Sequence, residues 1–248
     1  MAALGKQNMN HHMFALTTSL AAPLWKLTGL NGIVQSLQGD TGAGKSMAQF
    51  MMLSVWGNPT ELYYTAESTK NAMYSRMGTF GNLPMTIDEA TYMEEIGGFC
   101  FIVSEGKDKS RLTRTATERV TKEWALPVTV STNISWASRL ASVGVESNAQ
   151  LMRLFEIELP THKLFKEGSK AGRTILKYLH ANHGVAGDAM AKAYLRLGED
   201  ALRARLDKGY EEFESIYGLK FAGDERFWEG HLVTTHVGGE IGEEEGVV

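Results

Sequence analysis

The chain has 248 residues, of which 43 % are hydrophobic and one is a cysteine. This apolar content is enough for a substantial interior, which excludes an intrinsically disordered or fibrous chain. The lone Cys100 excludes an internal disulfide and a cysteine zinc cluster, and it favours a reducing compartment such as the cytoplasm. The formal net charge of −4 equals that of four glutamates near the end, so a nucleic-acid contact must be a local basic patch. These glutamates are Glu240, Glu243, Glu244 and Glu245.

The beginning of the chain predicts a helical lead-in, residues 1–30. Leucines recur at three- and four-residue steps, which is the spacing of one helix face, and the helix should bend near Pro23. The apolar stretch 13–25 contains hydroxyl side chains and is too short to span a bilayer, so we expect no membrane segment. The leucines are Leu16, Leu20, Leu24 and Leu27.

The next segment matches the phosphate-binding P-loop pattern G-x-x-x-x-G-K-[ST] at every fixed position. It lies between a β-branched run at 32–37, which predicts a buried strand, and a run at 46–53 with high helix propensity. Glycines let several backbone N–H groups converge on a polyphosphate, while Lys45 would reach the β- and γ-phosphates and Ser46 would ligate Mg²⁺. The predicted ATP-binding loop is Gly39, Asp40, Thr41, Gly42, Ala43, Gly44, Lys45 and Ser46.

A second acidic element follows about forty residues later. After a predicted strand at 62–65 and a helix at 69–77, residues 83–89 form an apolar run that ends in Asp88 and Glu89, the pattern of a Walker B strand. Asp88 would hold Mg²⁺ through water, and Glu89 would orient and deprotonate the attacking water. An exposed helix N-terminus is the alternative for an acidic pair, but the end of a strand in an open α/β sheet favours catalysis. The adjacent Glu89 also favours a hydrolysing ATPase over a kinase.

The most basic part of the chain, 106–114, follows a helix predicted from Ala90 to about Glu105. A solvated loop is one interpretation of this charge run, and a track for nucleic-acid phosphates is the other. Its cations are Lys107, Lys109, Arg111 and Arg114.

Two further polar residues flank predicted strands. Asn133 ends the β-branched run that begins at Leu126, where its carboxamide would help position water and sense the γ-phosphate, although a turn cap is an alternative role. Arg153 begins the last predicted strand and is the candidate arginine finger for a neighbouring subunit. A structural salt bridge is its alternative role, and Arg139 is the second candidate for the finger.

Beyond Pro160 the pattern becomes helical. Helices predicted at 171–181, 188–197 and 199–217 would form a small lid over residues 161–230, from which Arg173 could approach the nucleotide. The glycine- and glutamate-rich residues 231–248 predict a disordered acidic tail. The predicted fold is therefore α/β: a P-loop ATPase core at 31–160, of the ASCE type, with a parallel sheet flanked by helices and a C-terminal helical lid.

With these residues laid out, the chain resembles the helicase-like P-loop ATPases of phages and mobile elements, a family of unknown function often attached to primase modules. The resemblance runs from about Met13 to Phe165. The order of the Walker elements, Asn133 and Arg153 is also similar to that of AAA+ proteins and superfamily 3 helicases, which implies a ring, often a hexamer, with ATP between subunits. The segments that carry the resemblance are Phe14 to Leu16, Ala21 to Leu24, Gly39 to Ser46, Ser54 to Pro59, Thr65 to Asn71, Asp88-Glu89, Gly106 to Arg111, Trp124 and Arg153-Leu154.

The resemblance implies an ATP- and Mg²⁺-dependent motor that contacts single-stranded DNA, a replicative helicase or translocase in the cytoplasm, or in the host cytoplasm if the chain is viral. We find no primase or zinc module in the sequence, so we expect a homo-oligomeric motor that works with a separate primase or replication partner. Two alternatives remain open: an AAA+-like loader or remodelling ATPase without unwinding activity, and a small-molecule kinase.

Overall fold

A four-stranded parallel sheet, in the order β2-β3-β1-β4, forms the centre of the molecule. The structure, a computed structural model, describes residues 9–108, 121–143, 148–161, 169–218, 221 and 223–248. Strands β1 and β3 are buried along almost their whole length, because helices cover both faces of the sheet and their β-branched residues pack on both sides. The strands are β1 (Gly32–Gln38), β2 (Met85–Ile87), β3 (Leu126–Thr132) and β4 (Leu154–Glu158).

Helices alternate with the strands along the chain and then form a C-terminal group. A 3-10 helix, Ala22–Leu27, continues α1 with Pro23 in its first turn, so the α-helix ends where the sequence predicts a bend. The helices are α1 (Asn10–Ala21), α2 (Lys45–Trp56), α3 (Pro59–Leu62), α4 (Lys70–Phe80), α5 (Ile96–Glu105), α6 (Trp136–Ala141), α7 (Asn148–Leu151), α8 (Lys170–Ala181), α9 (Val185–Tyr217) and α10 (Arg226–Glu244). Helix α9 is broken at Gly198, which separates the helices predicted at 188–197 and 199–217.

The apolar core is divided by the sheet. On one face, α4, α5 and α6 pack against side chains such as Val34, Ile87 and Val130. On the other face, α1 and α2 pack against Leu37 and Ile157, and α9 and α10 pack against α1 and α2 in turn. Among the described residues, no helix is both long enough and apolar enough to cross a membrane.

The strand register brings three strand ends together. Gln38 at the end of β1 pairs with Thr132 at the end of β3, and Ile87 at the end of β2 pairs with Val130 two residues earlier. The N–H group of Gly39 also donates to the carbonyl of Thr132 at 3.1 Å. The residues that follow β1, β2 and β3 therefore meet at one edge of the sheet.

The strand predicted at 62–65 is wrong. Residues 59–62 form the short helix α3, because Pro59 occupies its first turn and the Asn58 side chain accepts a hydrogen bond from Thr60 N–H. What remains of the strand is a single parallel bridge between Thr65 and Asp88 beside β2. The helix predicted at 69–77 does form: α4 begins after Thr69, whose side chain caps it, but it continues to Phe80, three residues beyond the predicted end, with Gly81 as its C-cap.

The disordered tail predicted at 231–248 is also wrong over most of its length. Residues 226–244 form α10, whose apolar side chains at four-residue steps are buried against α1 and α9. Glycine allows the close approach, since a Cβ on Gly238 would lie 2.5 Å from the Cβ of Ala21. The composition suggested solvation, but the apolar stripe supplies enough packing to hold a helix. Its members include Val233, Val237 and Ile241.

Candidate nucleotide-binding site

A cavity of about 900 Å³ opens at the carboxyl ends of β1, β2 and β3. Such a volume lies in the range of sites for small molecules and cofactors, roughly 300–1,000 Å³. The cavity is bounded by the P-loop and α2 on one side, by the ends of β2 and β3 on another, and by the first turns of α8 above. The cavity therefore lies where the sequence predicts the ATP-binding site.

The P-loop has the backbone conformation that its glycines predict. Gly42 and Gly44 have φ values of 86° and 87°, a region that L side chains rarely adopt. A Cβ on Gly39 would lie 2.7 Å from the carbonyl oxygen of Leu159. Helix α2 begins directly after Gly44, so the first N–H groups of α2 and the positive end of its dipole face the cavity. The loop is thus shaped for an anion.

Helix α1 supports this loop from behind. The imidazole of His12 is buried, and its Nε2 lies 3.0 Å from the carbonyl oxygen of Ala43. A carbonyl oxygen only accepts, so Nε2 carries the proton. The lead-in helix is therefore part of the frame of the phosphate loop.

The Lys45 ammonium lies between the loop and the end of β3. Its Nζ donates to the carbonyl oxygens of Gly39 and Asp40, at 2.6 and 2.9 Å, and to Oδ1 of Asn133 at 2.8 Å. Burial lowers the pKa of Lys45, and the negative charges of Asp88 and Asp40 oppose that shift. Lysine and asparagine, 88 residues apart in sequence, are thus in direct contact.

Asp88 is buried, and both of its carboxylate oxygens accept hydrogen bonds. Oδ2 accepts from the Ser46 hydroxyl at 2.9 Å and from the Tyr63 hydroxyl, and Oδ1 accepts from the Ser131 hydroxyl. A serine hydroxyl and a neighbouring carboxylate supply oxygen ligands of the hard kind that Mg²⁺ prefers. The residues present therefore fit a magnesium ion held between Ser46 and Asp88.

Glu89 differs from Asp88 in both environment and conformation. It is exposed, lines the same cavity and has a φ of 57°, which is unusual for a residue with a side chain. Its N–H donates to the Ser131 hydroxyl at 3.1 Å. The left-handed backbone turns the chain sharply after Asp88, so the two acids have different surroundings although they are adjacent in sequence.

The turn after Glu89 is fixed to the end of β3 and to α6. The N–H of Asn133 donates to the hydroxyl of Thr91 at 2.9 Å. Arg139 donates to the carbonyl oxygens of Thr91 and Met93, at 2.8 and 3.2 Å. Arg139, the second candidate for an arginine finger, thus anchors a wall of this chain's own cavity.

Arg153 does not join the cluster. It immediately precedes β4, five residues before Glu158, so it lies roughly 17 Å back along the sheet from the P-loop edge. Its guanidinium donates to the Ser104 hydroxyl at 2.7 Å and lies about 5 Å from the rings of Phe101 and Phe227. Burial, and secondly the nearby Arg226, lower the pKa of Arg153. Any contact of this side chain with a γ-phosphate would have to be with a second copy of the chain.

Of the basic segment, the structure describes Lys107, while Lys109, Arg111 and Arg114 lie outside the described residues. The Lys107 side chain is exposed, and its backbone forms an isolated antiparallel β-bridge with Glu123. The backbone N–H groups of Trp124 and Asp108 donate to the carbonyl oxygens of Gly106 and Lys122 beside it. The Asn31 side chain, just before β1, donates to Glu105 at the end of α5. The beginning of the basic segment therefore lies at the amino ends of the strands, at the opposite edge of the sheet from the cavity.

Three residues that shape the site, Ser131, Tyr63 and Arg173, are not among the site residues predicted from the sequence. Ser131 and Tyr63 hold Asp88, and Arg173, considered above only as a lid residue, lines the cavity from the first turn of α8. The only sequence signal for Ser131 is its place two residues before Asn133 in a predicted strand. No signal identifies Tyr63, because the strand predicted around it does not form.

Comparisons with known proteins bear on the fold of the chain. Residues 1–123, just under half of the chain, match the model of a domain of unknown function, DUF927. A solved structure of the SCCmec type IV Cch active helicase is similar, with a TM-score of 0.72 and 19 % identity, over 96 % of this chain and 44 % of that one. The chain thus has the α/β fold of part of that helicase and spans less than half of its length.

Two further similarities are weaker and carry no structural argument. An inhibitor-bound JCV helicase is similar with a TM-score of 0.38 and 8 % identity, over 93 % of this chain and 65 % of that one. NtrX from Brucella abortus in complex with ATP is similar with a TM-score of 0.34 and 12 % identity, over 92 % of this chain and 67 % of that one. No curated protein sequence matches the chain.

Proposed function

We propose that this chain is a magnesium-dependent ATPase that acts as a nucleic-acid motor. The observation that carries the proposal is the contact between the two Walker elements: Ser46 of the P-loop donates to Asp88, and Lys45 lies between the loop and Asn133, all in one cavity. Hydrolysis, rather than phosphate transfer to an acceptor, is favoured because Glu89 is exposed in that cavity.

Each residue then has a defined role. The N–H groups around Gly42 and Gly44 and the Lys45 ammonium bind the phosphates, and Lys45 exchanges its carbonyl acceptors for phosphate oxygens. Ser46 and Asp88 would hold Mg²⁺, which supplies positive charge to the β- and γ-phosphates. Glu89 accepts a proton from the attacking water, and Asn133, whose amide oxygen contacts Lys45, orients that water and senses the γ-phosphate.

The nucleic-acid part of the proposal is supported by the similar fold of the Cch helicase and by the basic segment. In this proposal the segment that begins at Lys107 contacts single-stranded DNA. Several copies form a ring, a hexamer in the resemblance stated above, with Arg153 serving a neighbour's γ-phosphate. The second candidate function, a loader or remodelling ATPase, keeps the same chemistry without unwinding.

The hydrolytic core is tested with two variants of the full chain. We expect Lys45→Ala to weaken ATP binding, because it removes the cation of the loop. We expect Glu89→Gln to bind ATP as the wild type does and to lose turnover by about 10²-fold or more, because it removes the base. Binding is measured by titration of a fluorescent ATP analogue, and turnover by phosphate release. Wild-type turnover in the Glu89→Gln chain would refute Glu89 as the base.

The motor is tested by adding single-stranded DNA to the same assay. A motor is expected to hydrolyse ATP faster with DNA, and charge reversal at Lys107 should weaken both the stimulation and the salt dependence of DNA binding. An ATP turnover rate that DNA does not change would favour the loader. The assembly state with an ATP analogue, measured by analytical ultracentrifugation, tests the ring, and a persistent monomer would refute it.

A further inference from the structure

We infer that Ser131 is a positioning residue that sets the geometry of both Walker B acids through a single hydroxyl group. Its Oγ donates to Oδ1 of Asp88 and accepts the N–H of Glu89 at 3.1 Å. This inference rests on the proposed function, in which Asp88 serves the magnesium ion and Glu89 the attacking water.

The two contacts act on different parts of the chain. The bond to Asp88 fixes a carboxylate whose other oxygen faces Ser46, so the carboxylate cannot rotate freely away from the magnesium position. The bond from the Glu89 N–H occupies a backbone donor of a residue in the left-handed conformation, which is unfavourable for a residue with a side chain. Ser131 therefore helps to hold the conformation that separates the two acids.

A serine suits this position because a hydroxyl can donate and accept at the same time. Ser131 is 2 % exposed and belongs to β3, a strand fixed on both sides by β1 and β2, so its hydroxyl is held rigidly. Alanine would leave both Asp88 and the Glu89 N–H without this partner. Groups that orient a metal ligand from behind typically change metal affinity or activity by about 10- to 100-fold when removed.

The structure offers a matched control on the same strand. Thr129, two residues earlier and on the same face of β3, is also buried, and its hydroxyl accepts from Gln35 rather than contacting either acid. Thr129→Val removes a buried hydroxyl at nearly constant volume. It separates loss of a hydroxyl in this strand from loss of the contacts to Asp88 and Glu89.

The test is steady-state ATP hydrolysis by the full chain as Mg²⁺ is titrated. We expect Ser131→Ala to lower kcat by about 10- to 100-fold and to raise the Mg²⁺ concentration for half-maximal turnover severalfold. Binding of the fluorescent ATP analogue without magnesium should stay within about twofold, because the P-loop contacts remain. Ser131→Cys, which keeps the volume but bonds weakly, should show the same direction, and Ser131→Thr should restore turnover.

The outcomes are distinguishable. Wild-type kcat and Mg²⁺ dependence in both Ser131→Ala and Ser131→Cys would overturn the inference. So would an equal loss in Thr129→Val, or losses in Ser131→Ala that Ser131→Thr does not restore, since either would indicate a merely structural role. A wild type that does not hydrolyse ATP would instead overturn the proposed function, and the inference with it.

Discussion

At the scale of single residues, His231 shows how strongly the C-terminal helix depends on a neutral side chain. It is fully buried, its ring contacts Phe14, Trp25 and Phe155, and its Nε2 lies 2.8 Å from Oε1 of Gln35. Because an amide oxygen only accepts, Nε2 carries the single proton of a neutral imidazole. Burial lowers the pKa of His231 to about 3.

This burial predicts a dependence of stability on pH. An unfolded chain protonates this histidine below its ordinary pKa of 6.5, while the folded chain keeps it neutral down to about 3. The unfolded state therefore binds more protons in that window, and the free energy of unfolding falls as the pH falls, by at most about 1.4 kcal/mol per pH unit from this residue. Urea titrations between pH 7.5 and 5 measure it.

The matched variant is His231→Gln, which keeps a donor for Gln35 and cannot protonate. We expect it to be less stable than the wild type at pH 7.5 but to lose less stability as the pH falls. Identical pH slopes in the two chains would show that His231 is not the group that titrates.

At the scale of elements, α10 packs against α1 so closely that glycine is required in the contact. A Cβ on Gly238 would lie 2.5 Å from the Cβ and 2.7 Å from the Cα of Ala21. A helix that contains several glycines loses propensity, so α10 is stable here through its packing rather than through its own sequence. This is why composition alone predicted disorder.

Gly238→Ala is therefore expected to lower the free energy of unfolding by about 1–3 kcal/mol through overpacking. Gly98→Ala in α5 is the control, because a Cβ on Gly98 would meet nothing within 4 Å. There alanine should stabilise the chain by up to about 1 kcal/mol, since it is the better helix former. Thermal and chemical unfolding measure both changes. Equal effects at the two glycines would contradict the close α1–α10 contact.

At the scale of the whole molecule, the sequence predicted local elements and their order better than it predicted their packing. The P-loop, the strand before Asp88 and the strand before Asn133 have local signals, and parallel strands require their ends to share an edge. The structure brings Lys45, Ser46, Asp88, Glu89 and Asn133 into one cavity. Their roles as binding and catalytic groups remain predictions.

What the sequence could not supply is the set of long-range contacts. The His12 bond to the P-loop joins residues 31 positions apart, and the Tyr63 bond to Asp88 depends on where α3 ends. Neither follows from periodicity or motif spacing. Arg153, in contrast, begins the last predicted strand, so parallel pairing alone puts it at the edge opposite the cavity.

The contacts of α1 predict that ligand binding stabilises helices that lie well beyond the cavity. His12 bonds to Ala43, and Ser19, Leu20 and Thr18 of the same helix contact α2, α9 and α10. We expect an ATP analogue to slow amide hydrogen exchange in α1 and α10 as well as in the P-loop, because local opening of these helices becomes costlier. Protection limited to the P-loop would contradict this coupling, and Lys45→Ala without bound nucleotide is the control.

The break in α9 has a consequence of its own. Before Gly198 this helix lies on α2, where Gly187 approaches the carbonyl of Val55, and after Gly198 it lies on α10, where Gly209 approaches Val233. At Gly198 the backbone has φ 76° and ψ 164°, a combination essentially confined to glycine. The φ and ψ angles of this one residue thus set the angle between the two halves of α9. A residue with a side chain at this position would change the direction of the second half of α9. The position of α10, which packs on that half, would change with it.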